Sequence, residues 1–82
     1  MLICRVTGSV ISTRKHEMLK GAKFTIVEPM EGGASFLAVD NIGAGVDELV
    51  IVVRGSGARV ACGGNDIPTD AAIVGIIDDG TY

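Results

Sequence analysis

The sequence predicts an all-β fold, a small five-stranded barrel with one or two short helical turns. Apolar and polar residues alternate in several short runs, which is typical of strands with one buried face. Glycine-rich turns separate these runs, and the stretches between them are too short for more than a turn or two of helix. The chain has 82 residues and no linker, so residues 1–82 are expected to form one domain.

The first strand is predicted over Leu2–Val10. One face of this strand would hold Leu2, Cys4, Val6, Gly8 and Val10, and the other Arg5, Thr7 and Ser9. A glycine in the middle of a strand often marks a bulge or a sharp bend, which lets a small sheet curl. Gly8 therefore favours a barrel.

The second strand is predicted over Lys23–Glu28, where Phe24 and Ile26 lie on the face opposite Thr25 and Val27. Before it, charged residues break the alternation, and Met18 and Leu19 could pin a helical turn or loop to the core. After it, Pro29 removes a backbone donor and is expected to end the strand. A hairpin loop of roughly five residues then leads to a third strand over Ser35–Asp40.

The fourth strand is predicted over Glu48–Arg54, whose continuous β-branched run suits a strand buried on both sides. One of those sides could be a subunit contact. Ser56 could then cap a short helix that reaches Cys62. A fifth strand over Ala72–Asp78 completes a barrel that resembles the OB-fold.

The composition points to association with partners. A chain of this length buries only roughly 60–65% of its unfolded surface. Hydrophobic residues make up 48% of the sequence and the mean hydropathy is +0.46, so some apolar surface is expected in an interface. Cys4 and Cys62 form no CxxC pair or disulfide framework and suit small buried residues. A partner subunit, rather than a disulfide or a metal, is the expected source of extra stability.

Several classes of function are disfavoured. The net charge is −3, with one Tyr, two Phe and no Trp, which is poor material for a nucleic-acid surface. The longest apolar run, Leu49–Val53, is far too short to span a membrane. No export signal is visible at the N-terminus, so a cytoplasmic protein is expected.

No catalytic, cofactor or metal site is predicted. The loop Gly43-Ala44-Gly45 lacks the third glycine of a dinucleotide fingerprint and precedes a strand, not a helix. Cys4 or Cys62 with His16 would be the candidate nucleophile and base, but His16 suits a solvated turn. The candidate acids are Asp40, Glu48, Asp70 and Asp78. They lie at strand ends or in loops, where carboxylates commonly accept backbone N–H bonds, and Asp70 suits a turn-holding role.

Arg59 is harder to assign. It could bind a carboxylate bidentately, within the chain or across an interface, with Asp40, Glu48 or Asp70 as partner. It could equally be a solvated surface residue.

Four segments, taken in order, resemble the EutN/CcmL family, the vertex proteins of ethanolamine-utilisation compartments and carboxysomes. They are Val6-Thr7-Gly8-Ser9-Val10 running to Thr13, Val39-Asp40-Asn41-Ile42-Gly43-Ala44-Gly45 with Glu48, Gly55-Ser56-Gly57-Ala58-Arg59, and Asp70-Ala71-Ala72-Ile73-Val74-Gly75-Ile76-Ile77-Asp78. The resemblance implies an OB-like barrel that forms a cyclic pentamer and caps the vertices of a polyhedral bacterial microcompartment beside hexameric shell proteins. The alternative is an OB-type module that binds a ligand or nucleic acid.

The resemblance also implies a set of subunit-interface or pore residues. The glycine loop and Glu48 would pack between subunits, and Gly55-Ser56 would lie near the five-fold axis. The full set is Asp40, Gly43, Ala44, Gly45, Asp47, Glu48, Gly55, Ser56, Gly57, Arg59 and Asp70. The chain departs from the family pattern at Asp47, where a glycine is usual, and at Gly57, where a serine is common. Aspartate tolerates a left-handed backbone, but Asp47 beside Glu48 is expected to weaken the ring by like-charge repulsion.

Overall fold

The computed structural model describes residues 1–12, 15–19 and 21–78, and these residues form a closed five-stranded barrel with one short α-helix. The strands are β1 (Leu2–Val10), β2 (Lys23–Pro29), β3 (Phe36–Asp40), β4 (Leu49–Arg54) and β5 (Ala71–Ile77). A 3₁₀ turn, Glu17–Leu19, precedes β2, and helix α1 (Ser56–Ala61) lies between β4 and β5. Every predicted strand is confirmed to within one residue at each end.

The strands follow one another around the barrel in the order β1, β2, β3, β5, β4, and β4 pairs with β1 to close it. The β3–β5 pairing is parallel and the others are antiparallel. Because β2 has β1 and β3 as neighbours, it lies across the barrel from β4 and β5. The start of β2, the start of β4 and the end of β5 all lie at the end of the barrel that carries the glycine loop.

Small and β-branched side chains fill the barrel interior. The main buried cluster is Cys4, Val6, Val27, Ala38, Ala44, Val50, Val52, Ala71 and Ile73. Five strands enclose a narrow interior, which valine and alanine can fill without strain. Fully burying each valine contributes about 1.5–3 kcal/mol.

The predicted irregularity at Gly8 is confirmed, because the β1–β2 register shifts between Val6 and Gly8. The extra residue moves the following side chains to the other face of the strand. Val10 is therefore 40% exposed on the outer side, instead of lying on the inner face with Cys4 and Val6 as predicted.

In β2 the interior positions belong to Thr25 and Val27, both fully buried, while Phe24 and Ile26 face outward and are half-buried. Pro29 is the last residue of this strand, one position later than predicted. The 3₁₀ turn before the strand confirms the predicted helical turn. However, Met18 is exposed, so that residue does not pin the turn to the core.

Helix α1 confirms the predicted helix, which ends one residue earlier, at Ala61. The N-cap is Gly55 rather than Ser56, and none of the described side chains caps the helix. The helix packs against β4 and β5, with Ala58 fully buried. Ala72, on the outer side of β5, is also buried, so the helix side of the sheet forms a second, smaller packed region.

Candidate functional site

The glycine loop between β3 and β4 is held by the Asp40 carboxylate, which is 3% exposed. Its Oδ1 accepts hydrogen bonds from the backbone N–H groups of Ile42 (2.8 Å) and Gly43 (2.9 Å), and its Oδ2 accepts one from Ala44 (2.7 Å). Gly43 has φ 102°, a conformation that suits glycine. Asp40 therefore anchors its own loop and is not the partner of Arg59 within the subunit.

Two further side chains hold the same loop. Lys23 Nζ donates to the Ala44 carbonyl at 2.8 Å, and Glu48 Oε1 accepts from the Gly45 N–H at 2.5 Å. The Ala44 side chain belongs to the barrel core. The loop is thus fixed by the buried Ala44 side chain and by hydrogen bonds to Lys23 and Glu48. Glu48, like Asp40, makes its hydrogen bond to the loop of its own subunit.

Asp47 takes the left-handed conformation predicted for it, with φ 73°, and is the only non-glycine residue with positive φ in the described part of the chain. Its N–H donates to the Val6 carbonyl at 2.8 Å, and its own carbonyl accepts from Arg5 Nη1 at 2.7 Å. The backbone is thus tied to β1, while the residue as a whole is exposed.

An acidic groove lies beside this loop, where the start of β4 meets the end of β5. It is lined by Val46, Asp47, Glu48, Leu49, Ile76, Ile77 and Asp78. The contribution of β5 to this groove is not evident from the sequence, because Leu49 and Ile77 become neighbours only through the barrel topology. The groove places three carboxyl-bearing residues, Asp47, Glu48 and Asp78, along one side of the molecule.

The remaining members of the predicted set lie at the other end of β4, around helix α1. The Gly55 N–H donates to the Asp70 carbonyl at 2.8 Å, which joins the residue before the helix to the residue before β5. Ser56 and Gly57 are exposed. The Thr69 hydroxyl holds the turn before β5, accepting from the Ala71 N–H at 3.4 Å and donating to the Ala71 carbonyl at 3.0 Å. Among the described residues the Asp70 carboxylate accepts no hydrogen bond, so the turn-holding role predicted for it belongs to Thr69.

Two apolar surfaces face outward on the barrel. The first, called here the β4 face, spans β1, β4 and β5 and consists of Ile3, Leu49, Ile51, Val53, Gly75 and Ile77. Ile3 lies opposite Ile51 and Ile51 opposite Gly75, while Leu49 lies opposite Ile77. These residues are half-buried, whereas Val50 and Val52 on the inner side are fully buried. Within the subunit, β4 is therefore packed on one side only.

The second surface, called here the β2 face, consists of Gly8, Val10, Phe24, Ile26 and Leu37. Ile26 lies between Gly8 and Leu37 in register, and Phe24 lies opposite Val10. Leu37 is 50% exposed. The Lys15 ammonium lies 5.3 Å from the centroid of the Phe24 ring and also donates to the Ala22 carbonyl at 3.2 Å. The β2 face thus combines apolar side chains with a positive charge.

The candidate nucleophiles are not assembled into a catalytic group. Cys4 is fully buried, and burial raises the pKa of its thiol, an effect that Arg54 partly opposes. Cys62 is half-buried, less than expected, and burial raises the pKa of its thiol as well. His16 lies on an exposed turn, where its Nδ1 accepts from the Met18 N–H at 3.1 Å.

Within residues 1–12, 15–19 and 21–78, no three His, Cys, Asp or Glu side chains are grouped so as to hold a metal ion. No helix in this part of the chain is long and apolar enough to cross a membrane.

Comparison with known proteins matches residues 1–78 to the family described as ethanolamine utilisation protein EutN/carboxysome. The carboxysome shell vertex protein CcmL of Thermosynechococcus vestitus is 47% identical over 95% of this chain and 84% of that protein. The microcompartment shell vertex protein GrpN of Rhodospirillum rubrum is 41% identical over 95% of this chain and 93% of that protein.

Solved structures give the same result. The ethanolamine utilization protein EutN has a TM-score of 0.91 at 38% identity, covering 95% of this chain and 86% of that one. The pentameric microcompartment shell protein GrpN from Rhodospirillum rubrum has a TM-score of 0.84 at 40% identity, covering 95% of this chain and 94% of that one.

Proposed function

This chain belongs to the EutN/CcmL family of shell vertex proteins, and we propose that it closes the corners of a polyhedral microcompartment shell as a ring of five identical subunits. The observation that carries the proposal is its similarity to a pentameric shell protein, with a TM-score of 0.84 and 40% identity over 95% of this chain. A flat layer of six-membered rings cannot close on itself. Replacing some of them with five-membered rings adds the curvature that closes it.

The properties of the isolated barrel support an assembling subunit. Apolar side chains on the β4 and β2 faces remain partly exposed although the interior is filled, and the chain is too short to gain much stability from its own core. A ring would bury such surfaces.

The proposed interface includes the residues that the sequence predicts for it. Some of them fix the glycine loop from inside the subunit, and others are exposed toward the neighbouring subunit or the five-fold axis. Asp40 and Ala44 act from inside by fixing the glycine loop, and exposed loop members such as Asp47 and Glu48 face the neighbouring subunit. The segment at the other end of β4, comprising Gly55, Ser56, Gly57, Arg59 and Asp70, would lie toward the five-fold axis.

We propose further that the ring sits among hexameric shell proteins and performs no catalysis. The buried thiol of Cys4 and the surface position of His16 support a purely structural role, since a thiol nucleophile needs an accessible thiolate and a base beside it.

Native mass spectrometry of the purified chain, with light scattering over a range of concentrations, tests the proposal. The expected result is a dominant species with the mass of five chains of 8.4 kDa. A dominant monomer or dimer at every concentration would overturn it.

A further inference from the structure

We infer that the ring is built head to tail, with the β4 face and acidic groove of one subunit receiving the β2 face and Lys15 of the next. The inference rests on the proposed function, because it takes the partner to be a second copy of this chain. It goes beyond that function by stating which two surfaces meet.

Both faces have the composition of surfaces that require cover. Solvated strands of a small barrel usually carry polar residues on the outer side. Here the β4 face places Ile51 between Ile3 and the side-chain-free surface of Gly75. The β2 face places Ile26 between Gly8 and Leu37, and Leu37 is 50% exposed. Each face presents a short apolar row in which an isoleucine lies over a neighbouring glycine: a Cβ at Gly8 would lie 3.7 Å from Ile26 Cδ1, and a Cβ at Gly75 would lie 3.6 Å from Ile51 Cδ1.

The positions of the two faces favour a ring over a two-fold dimer. They are different surfaces, separated around the barrel by the strand order. Contact between unlike surfaces is heterologous, and repeating it gives either a closed ring or an open filament. The acidic groove and Lys15 both lie toward the glycine-loop end of the barrel. A rotation about an axis parallel to the barrel can therefore bring the groove of one subunit to Lys15 of the next with no translation along that axis. A closed ring requires such a rotation without translation.

Charge complementarity selects the same arrangement. The groove beside the β4 face carries Asp47, Glu48 and Asp78, whereas the β2 face carries Lys15, whose ammonium has three donors and gives one to the Ala22 carbonyl. Contact between two β4 faces would bring six carboxyl-bearing residues together with only the two Arg5 guanidinium groups that lie beside Asp47, and this excess of negative charge disfavours such a pairing. The carboxylate on the outer side of β2, Glu28, lies at the far end of that strand from Lys15, in register with Arg5 on β1, whose guanidinium reaches the Asp47 carbonyl.

Two variants that block one face each provide the test. Ile51→Glu places a charge in the β4 face and Leu37→Glu places one in the β2 face. Each variant alone is expected to lose the pentamer by native mass spectrometry, with at least a tenfold fall in the ring population. Mixed in equal amounts, the two variants are expected to form a one-to-one heterodimer and nothing larger, because each keeps one intact face.

Met30→Glu is the matched control. Met30 is 39% exposed, lies outside both faces, and gains the same charge, so this variant should keep the pentamer. Circular dichroism verifies that all three variants are folded. If both single-face variants remain pentameric, or if their mixture forms no heterodimer, the inference is overturned while the pentamer itself stands. A wild-type chain that is not pentameric would instead overturn the proposed function.

If Ile51→Glu or Leu37→Glu does not fold, a charge variant at Lys15 provides a second test of the inference. Lys15→Glu, on the protein surface, is expected to weaken the ring about tenfold at low salt. The difference should disappear near 1 M salt, where charges are screened over about 3 Å. Equal ring stability of Lys15→Glu and wild type at low salt would exclude Lys15 from the interface and overturn the inference.

Discussion

Asp47 occupies a position where the backbone, rather than the side chain, dictates which residues fit. Its φ of 73° is tolerated by aspartate better than by most residues, and two hydrogen bonds to β1 hold it there. The replacement of the usual glycine therefore leaves the barrel intact. What it adds is a carboxyl group beside Glu48 at the edge of the proposed interface.

Two substitutions at this residue separate its charge from its backbone. We expect Asp47→Gly and Asp47→Asn to loosen the ring equally at low salt, because both remove a charge that would face Lys15 of the next subunit and both tolerate positive φ. This attraction would outweigh the repulsion between Asp47 and Glu48 expected from the sequence. Subunit dissociation, followed by native mass spectrometry against salt and pH, is the measurement. If neither variant changes dissociation, the side chain points away from the neighbouring subunit; if only the glycine variant acts, backbone strain is the cause.

Thr25 is the second informative residue, because it is fully buried and its hydroxyl oxygen has no hydrogen-bond partner within the part of the chain that the structure describes. Thr25→Val replaces that hydroxyl with a methyl group of similar size. We expect a stability gain of about 1–2 kcal/mol in urea unfolding, the desolvation cost of an unpaired buried group. Thr25→Ser, which keeps the hydroxyl and loses a methyl, should be less stable than wild type. A destabilised Thr25→Val variant would mean that the hydroxyl is hydrogen-bonded in solution.

Among the elements, the positions of the strands were predictable from the sequence. Which side chains of each strand lie inside the barrel was only partly predictable. Alternation and turn residues located all five strands, and Gly8 correctly indicated the irregularity in β1. A bulge moves later residues to the other face, however, and the sequence does not specify which residue is inserted. Val10 was therefore assigned to the wrong face. In β2, the sheet places the less apolar Thr25 inside and Phe24 outside, a choice that depends on the register with β1 and β3.

Helix α1 gives a prediction at this scale, because two neighbouring glycines have opposite requirements. Gly55 has φ 68° and ψ −144°, a conformation almost restricted to glycine, whereas Gly57 lies within the helix with open space where a Cβ would be. Gly55→Ala should destabilise the protein by about 1–3 kcal/mol. Gly57→Ala should stabilise it by about 1 kcal/mol. Thermal unfolding of both variants is the measurement.

The same pair also probes assembly. A stabilised Gly57→Ala chain that no longer forms rings would place this residue in close contact with a neighbouring subunit. If both variants lost stability equally, the helix assignment at Gly57 would be contradicted.

For the whole molecule, sequence composition indicated a need for partners, and the family resemblance identified the family that the comparisons confirmed. The acidic groove was not predicted, because it depends on contact between the start of β4 and the end of β5, which are far apart in sequence. Asp40 was expected to be an interface residue or a partner of Arg59. Its burial and its three bonds to the loop give it an internal role that the sequence suggested only in general terms.

Stability should depend on protein concentration if folding and ring formation are coupled. A partner that binds only the folded subunit raises the melting temperature by mass action. We expect the melting temperature of the wild-type chain to rise with concentration in calorimetry, and that of the Leu37→Glu variant to stay constant. A wild-type melting temperature that is independent of concentration would show that the subunit gains nothing from its neighbours.

The anchoring of the glycine loop by Asp40 also bears on how quickly subunits can join. Fixing one residue of a flexible loop costs about 1–2 kcal/mol in conformational entropy, and binding is weakened when that ordering happens on contact. Here the Asp40 carboxylate, which accepts hydrogen bonds from three backbone amides of the loop, and the side chains of Lys23 and Glu48 already hold the loop in the single chain. The loop is therefore preorganised. A vertex subunit that arrives at an open corner would need to find only the right orientation, without a slow rearrangement of this loop after encounter.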